Sequence, residues 1–140
     1  MLDELHVLSQ QYLHAHGQQY KRDCMQSKVF AHRFSILSGQ RGVGKTTFII
    51  QHLLATVKQD ITSEHILYVP ADHFSVNQYA LYAIAEAFAQ AGGKLIVFDE
   101  IHKYQNWSSE LKSIYDTFPQ LNVIASGSSA LEIHKGSHDL

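Results

Sequence analysis

The stretch that decides the fold is Phe34-Ser35-Ile36-Leu37-Ser38-Gly39-Gln40-Arg41-Gly42-Val43-Gly44-Lys45-Thr46-Thr47. It starts with a mostly apolar run, passes through a loop with three glycines, and continues into the apolar segment Phe48-Ile49-Ile50. An apolar run bounded by a glycine-rich loop predicts a short buried strand, and the apolar residues after the loop are compatible with a helix. The sequence therefore predicts a strand, a tight loop and a helix in succession.

The loop has the spacing Gly-x-x-x-x-Gly-Lys-Thr of a phosphate-binding P-loop, or Walker A motif. Gly39 and Gly44 leave room for the backbone to fold around an anion, and the helix that starts near Lys45 adds the positive end of its dipole. Lys45 supplies a charge for the β- and γ-phosphates, and the Thr46 hydroxyl is a hard oxygen ligand for Mg²⁺. The residues predicted to contact a nucleotide are Gly39, Gln40, Arg41, Gly42, Val43, Gly44, Lys45, Thr46 and Thr47. The alternative, a chance match in a glycine-containing loop, is disfavoured because strand and helix patterns flank the motif.

Composition places the chain among soluble globular domains. Its 140 residues are 45% hydrophobic and 17% charged, enough for about one domain with a real core. The net charge of −2 does not favour a dedicated nucleic-acid surface. Cys24 is the single cysteine, which fits a reducing cytoplasm and is more typical of a small buried residue than of a catalytic one. No apolar run approaches the ~20 residues of a membrane span, and the acidic start of the chain does not resemble a signal peptide.

Histidine is frequent, with ten residues, but the pattern does not favour a metal site. His14 and His16 fall in a helical pattern, where residues two apart do not face each other. No cysteine cluster or His-Glu-x-x-His motif accompanies them. Most of the histidines are expected to be solvated.

Apolar periodicity predicts strands that alternate with helices, which is typical of a parallel α/β sheet covered on both sides. Ser75 is the expected N-cap of one long helix whose buried face carries Val76, Tyr79 and alanines 83, 87 and 91, and which Gly92 and Gly93 end. Asn106 is the expected N-cap of the last helix. The predicted helices cover residues 2–15, 20–29, 45–58, 75–91 and 107–118, and the predicted strands cover 33–38, 65–69, 95–98 and 121–125.

A second motif follows the third predicted strand. Leu95-Ile96-Val97-Phe98 is continuously apolar and leads directly into Asp99 and Glu100, as in a Walker B segment. Parallel strands present their carboxyl ends at one edge, so Asp99 is expected beside the P-loop, where it can hold Mg²⁺ together with Thr46. Glu100 can orient or polarise a water for attack on the γ-phosphate. The alternative is an acid pair that merely ends a strand at the surface.

Two further observations refine the expected chemistry. The sequence lacks the Asn-Lys-x-Asp that reads guanine and has no arginine after Arg41 for a kinase-type lid, so ATP is favoured over GTP and over a small-molecule kinase. The fourth strand ends at Ser126-Gly127-Ser128-Ser129. Ser126 or Ser128 is a candidate for contact with the γ-phosphate or the attacking water, and an ordinary Ser/Gly turn is the alternative. The segment before the first strand is also expected to line the base pocket.

Together these segments resemble the AAA+-like ATPases of bacteria and archaea that carry an AAA domain followed by a C-terminal domain of unknown function. The resemblance rests on the segments 39–47, 98–107, 110–116 and 126–131, and the string Asp-Glu-Ile-His-Lys followed by Asn-Trp is more specific to the family than the P-loop itself. It implies ATP binding and hydrolysis, with Asp99 on Mg²⁺ and Glu100 as the catalytic base. Similar proteins continue past Leu140 into a fifth strand, a lid and a C-terminal part, so we expect this chain to be truncated before them. That leaves open the source of any arginine finger.

The fold predicted from the sequence is an α/β, three-layer P-loop NTPase sandwich. Its parallel sheet has four strands in the order 2-3-4-1, and a helical segment over residues 1–30 precedes it within one domain spanning 1–140. The predicted function is hydrolysis of Mg-ATP, and the alternative is a nucleotide-binding switch or interaction module with little hydrolysis. A homo-oligomer or protein partner acting through the absent C-terminal region is a further expectation, whereas nucleic-acid binding has no support from charge.

Overall fold

Four parallel strands form the centre of the structure, a computed structural model that describes residues 1–17, 33–38 and 44–127. The strands are β1 (Phe34–Ser38), β2 (Ile66–Pro70), β3 (Leu95–Asp99) and β4 (Asn122–Gly127), and they lie in the order β1-β4-β3-β2. Read from the opposite edge this is the predicted order 2-3-4-1. All three strand pairs are parallel, so the four carboxyl ends meet at one edge of the sheet.

Alternating strand side chains build a core on each face of the sheet, as the pleat requires. In β2 and β3 every residue is buried, which explains why both strands are mostly apolar and do not alternate between apolar and polar residues. Leu67, Val69, Ile96 and Phe98 belong to one core cluster, whereas their sequence neighbours in the same strands belong to the other. Helices cover both faces, so the predicted three-layer α/β architecture is confirmed.

The helices have mostly the predicted extents. They are α1 (Leu2–Gly17), α2 (Lys45–Thr56), α3 (Phe74–Asn77), α4 (Leu81–Gln90) and α5 (Trp107–Thr117), with a 3₁₀ turn at Ile101–Lys103. The predicted helix over 20–29 lies outside the described residues. No helix in the described ranges is long and apolar enough to cross a membrane.

Helix α1 packs against β2, an edge strand of the described sheet, and against α2. Its buried Ser9 accepts a hydrogen bond from the backbone N–H of Tyr68, 2.9 Å away. That N–H would otherwise be an unpaired group on an exposed strand edge. Helix α1 is therefore the element that closes this side of the sheet.

The prediction of one helix over 75–91 was wrong, because Ala80 is extended and separates α3 from α4. In a continuous helix the carbonyl of Tyr79 would accept an intrahelical bond, but here it accepts the Tyr104 hydroxyl at 2.8 Å. The carboxylate of Glu110, from α5, accepts the N–H of Tyr82 in the first turn of α4. Contacts from distant residues thus create a helix start that local propensity does not indicate.

The predicted caps and buried faces also need correction. His73, not Ser75, caps α3, since its ring accepts the Ser75 N–H. Asn106 makes no side-chain cap bond because its backbone is left-handed, outside the extended geometry that capping requires. The buried face of α4 carries Leu81, Ile84, Ala85 and Phe88 instead of the predicted alanines, since these larger side chains remove more apolar area from water.

The predicted end of α4 at the glycine pair is confirmed. Gly92 has φ +93°, the left-handed conformation that terminates helices and that other residues rarely adopt. Helix α5 begins at Trp107 as predicted, with Trp107, Leu111 and Ile114 on its buried face. Strand β4 extends two residues further than predicted, so Ser126 and Gly127 belong to the strand.

Candidate functional site

A cleft of about 420 Å³ lies at the carboxyl edge of the sheet, between α1, α2 and the ends of β2 and β3. The two predicted motifs meet in it, although 53 positions separate Thr46 from Asp99. Crossovers between parallel strands bring such distant segments to one edge. The cleft is lined by Tyr12, His16, Gly44, Lys45, Thr46, Thr47, Tyr68, Pro70, Asp72, Asp99 and Glu100.

Gly44 and Lys45 form the amino-terminal end of α2 at the floor of the cleft. Gly44 has φ +80°, a conformation that glycine adopts without steric cost, and no side chain caps the helix there. The first N–H groups and the positive end of the helix dipole therefore belong to the cleft lining. The chemistry of this end of α2 suits an anionic group.

The ammonium of Lys45 lies beside this helix end and is almost completely buried. It donates a hydrogen bond to the carbonyl oxygen of Gly127, 2.6 Å away, and lies 3.5 Å from Glu100 Oε2. The Lys45 side chain is only 6% exposed. A cation in such a position interacts strongly with an incoming anion, because solvent screens it little.

Asp99 is held by four donors and is 1% exposed. Its Oδ2 accepts the hydroxyl of Thr46 at 2.7 Å and the phenol of Tyr68. Its Oδ1 accepts the hydroxyl of Ser126 and, at 3.0 Å, the backbone N–H of Glu100. A carboxylate with this many partners has a fixed orientation, and one of its oxygens faces the Thr46 hydroxyl.

Glu100 adopts a left-handed backbone, with φ 56° and ψ 41°, directly after β3. This conformation is uncommon for a residue other than glycine, and such residues often occur at functional sites. The Glu100 side chain is 13% exposed and lies near Lys45 on one side and His102 Nε2, 3.9 Å away, on the other. The second acid of the pair therefore lines the cleft rather than solvent.

The donor set suits Mg²⁺, a hard cation that prefers oxygen ligands and retains several waters. The Thr46 hydroxyl and the Asp99 carboxylate are hard oxygen donors at hydrogen-bond distance from each other. No group of three or more His, Cys, Asp or Glu residues that could hold a metal occurs in residues 1–17, 33–38 and 44–127. The Thr46 hydroxyl and the Asp99 carboxylate are nevertheless two described groups whose chemistry fits Mg²⁺.

The structure locates most but not all of the predicted site residues. It brings Gly44, Lys45, Thr46, Thr47, Asp99 and Glu100 into one cleft. Residues 39–43 and Ser128 lie outside the described part of the chain. Ser126 is fully buried, its hydroxyl donates to Asp99, and it is not among the residues that line the cleft. Its contact with the γ-phosphate or the attacking water stays a prediction.

Sequence reasoning missed Tyr68 and Asp72 and placed no individual residue of α1 at the site. Tyr12 and His16 line the cleft from α1, with nearly parallel rings 6.2 Å apart, and His16 Nδ1 lies 3.4 Å from Thr47 Oγ1. Their spacing of four residues on an amphipathic helix was an available signal. Tyr68, the only polar side chain in Ile66–Pro70, was another.

Two tyrosines of the cleft have perturbed acidity. Burial, followed by the charge and hydrogen bond of Asp99, raises the pKa of Tyr68 far above its ordinary value. Burial, with smaller contributions from Asp72 and Asp99, also raises the pKa of Tyr12. The raised pKa keeps each phenol protonated at neutral pH, and the Tyr68 phenol donates its proton to the hydrogen bond with Asp99.

A family model described as an AAA domain matches residues 31–140, which is most of the chain. The matched range contains the P-loop stretch, all four strands and the acid pair. Helix α1, which supplies Tyr12 and His16, precedes it. No curated protein matches the chain.

Proposed function

Since the chain belongs to the AAA domain family of nucleotide-binding ATPases, we propose that it binds ATP with Mg²⁺ and hydrolyses the ATP to ADP and phosphate. The observation that carries the proposal is the convergence of Lys45 and Thr46 with Asp99 and Glu100. Thr46 Oγ1 lies 2.7 Å from Asp99, and Lys45 Nζ lies 3.5 Å from Glu100. This places a cation, a hydroxyl and two carboxylates around one cleft.

Binding of the polyphosphate is assigned to the end of α2 and to Lys45. The N–H groups at the start of the helix and the buried ammonium present positive charge to the same point of the cleft. Residues 39–43, which precede this helix, complete the proposed loop. Lys45 then exchanges its contact with Glu100 for the phosphate oxygens.

Thr46 and Asp99 are the proposed protein ligands of Mg²⁺, directly or through water. When bound, the metal would neutralise part of the phosphate charge and fix the orientation of the γ-phosphate. Asp99 suits this role because its other partners keep the carboxylate fixed. Thr46 suits it because its hydroxyl already occupies the position next to Asp99 Oδ2.

Glu100 is the proposed general base. It accepts a proton from a water that attacks the γ-phosphorus, while the bond between that phosphorus and the bridging oxygen of the β-phosphate breaks. Release of Lys45 to the phosphates leaves the Glu100 carboxylate free to bond the water. The products are ADP and inorganic phosphate, and Glu100 loses its proton to solvent afterwards.

Replacing Glu100 by glutamine tests the reaction. The amide keeps the size of the side chain but cannot accept the proton, so single-turnover hydrolysis should slow by about 100-fold or more. Equilibrium ATP binding should be retained or tightened, because the variant removes a carboxylate that competes for Lys45. Glu86→Gln, an exposed change on α4, is the matched control and should change neither the hydrolysis rate nor ATP binding. Unchanged hydrolysis in Glu100→Gln would remove Glu100 from the mechanism.

A second candidate function is a nucleotide-dependent switch that holds ATP and hydrolyses it slowly. In the part of the chain that the structure describes, no arginine lines the cleft, and Arg41 of the proposed loop lies outside that part. Arg33, at the amino-terminal end of β1, instead donates to the carbonyls of Phe118, Leu121 and Tyr115. An arginine supplied by another copy or a protein partner is worth about 10³–10⁵ in rate in related chemistry. Single-turnover rates that rise with protein concentration would support such a partner.

The proposed setting is the cytoplasm, which fits a single cysteine, Cys24, without a disulfide partner in the chain. A role on nucleic acid has little support from the net charge of −2. Salt-dependent binding to DNA, measured with and without ATP, would revive that interpretation.

A further inference from the structure

We propose that Tyr68 is a positioning residue of the metal site, and that its phenol sets the orientation in which Asp99 meets Mg²⁺. This inference rests on the proposed function and adds to it a residue outside both nucleotide motifs. Tyr68 lies on β2, next to the strand that carries Asp99. We predict that loss of the Tyr68 hydroxyl raises the Mg²⁺ concentration that the reaction requires and leaves the fold intact.

The register of the sheet directs Tyr68 toward Asp99. Tyr68 pairs with Val97, so Asp99 lies two residues further along β3 and on the same face. The Tyr68 phenol donates to Asp99 Oδ2, the oxygen that also accepts the Thr46 hydroxyl. The hydroxyls of both residues therefore converge on the oxygen that lies toward the proposed metal position.

Tyr68 is itself held on two sides. Its backbone N–H donates to Ser9, and its ring packs against Tyr12 at a centroid distance of 5.1 Å. The residue is 2% exposed, so the ring has little freedom to move. Because the supporting contacts come from α1, that helix fixes the phenol and the phenol in turn fixes Asp99.

The hydroxyl of Tyr68 is not needed for packing, since a phenylalanine ring would fill the same space. Burying a hydroxyl costs free energy unless it finds a partner, and here the partner is the metal-binding carboxylate. When Thr46 turns its oxygen toward a metal, its bond to Asp99 Oδ2 is given up, whereas the Tyr68 bond can remain. Among the residues that the structure describes, Tyr68 is then the side chain that still donates a hydrogen bond to Asp99 Oδ2.

The test is Tyr68→Phe in the full chain, with Mg²⁺ titrated at saturating ATP and hydrolysis followed in single turnover. Hydrogen-bond partners of metal ligands typically contribute 10–100-fold to metal affinity, so the Mg²⁺ concentration for half-maximal rate should rise about 10-fold. The rate at saturating Mg²⁺ should recover most of the wild-type value. ATP binding in EDTA should be unchanged, because Lys45 and the end of α2 are untouched.

Tyr104→Phe is the matched control. It also removes a phenol hydrogen bond, the 2.8 Å bond to the carbonyl of Tyr79, but outside the cleft. A metal requirement shifted in Tyr68→Phe and not in Tyr104→Phe supports the proposal. The proposal is overturned if the Mg²⁺ concentration for half-maximal rate in Tyr68→Phe lies within twofold of the wild-type value. It is also overturned if Tyr68→Phe no longer folds, because the hydroxyl would then have a structural role. A wild-type chain that binds no ATP at any Mg²⁺ concentration would instead reject the proposed function itself.

Discussion

Replacing Lys45 by alanine should weaken ATP binding by about 30- to 1000-fold without unfolding the sheet. The change removes the buried ammonium that lies at the start of α2. It also leaves the carbonyl of Gly127 and the carboxylate of Glu100 without that partner. The prediction therefore has one component in binding and another in stability.

The magnitude follows from the position of the charge. Two unit charges 4 Å apart interact with about 4 kcal/mol at an effective dielectric constant near 20, which corresponds to about 1000-fold in affinity. In the nucleotide-free protein, however, Lys45 already lies 3.5 Å from Glu100 and must exchange that partner for phosphate. The exchange reduces the net gain to about half, or roughly 30-fold, which sets the lower bound.

Stability should fall by about 1–3 kcal/mol in the nucleotide-free state, because a nearly buried carboxylate and a carbonyl lose a donor. Thermal unfolding followed by circular dichroism separates this effect from binding. ATP affinity is then measured by calorimetry at a temperature where both proteins are folded. Lys45→Gln, which retains a donor but no charge, should recover stability more than affinity.

Lys112→Ala is the control for Lys45→Ala. It also removes one lysine paired with a carboxylate, that of Asp116 at 3.3 Å, but both side chains are more than half exposed on α5. Water and salt screen such a pair, so neither stability nor ATP affinity should change appreciably. ATP affinity of folded Lys45→Ala within threefold of wild type would refute the assignment of the ammonium to the phosphates.

Three further predictions concern the fold that carries the site. Ser9→Ala should destabilise the chain by about 1–3 kcal/mol in a denaturant titration, because the edge N–H of Tyr68 loses its acceptor; a loss below the error of the titration would show that water replaces Ser9. Gly93→Ala should cost about 1–3 kcal/mol and lower the melting temperature, since the new Cβ would lie 2.4 Å from the Phe88 ring; unchanged melting would mean that the ring moves aside freely. Burial lowers the pKa of His52 below its ordinary 6.5, so the unfolded chain binds the proton more tightly, and stability should fall as the pH drops from 6.5 toward the lowered pKa. His52→Gln should flatten this dependence of stability on pH, and an equal dependence in both proteins would contradict the prediction.

The local pattern was sufficient to locate many residues of the candidate site because they lie in two short contiguous strings. The P-loop spacing predicted the strand, the helix start at Lys45 and the position of the Thr46 hydroxyl. The structure describes β1 and the last three residues of the motif, 44–46, and they lie where they were expected. The apolar run before Asp99 predicted a strand buried on both faces. Such predictions succeed when the residues that define an element are neighbours in the chain.

Local pattern failed where distant residues determine the conformation. Ala80 interrupts a sequence with good helical periodicity because Tyr104 and Glu110 supply hydrogen bonds from elsewhere in the fold. The hydrogen bond between Ser126 and Asp99 was not predicted either, because it depends on the position of β4 beside β3. Neither partner is visible in the local sequence.

By itself, then, the sequence determined that this chain forms an α/β sheet and predicted a P-loop pattern and an acid pair at the ends of two strands, since side-chain periodicity and glycine spacing are local properties. Only the tertiary structure decided that Tyr68 bonds Asp99, that Lys45 pairs with Glu100, and that α1 lies against the edge of β2. These contacts depend on strand register and on packing between residues far apart in the chain. The directions of buried polar groups follow from those two features, which no short segment encodes.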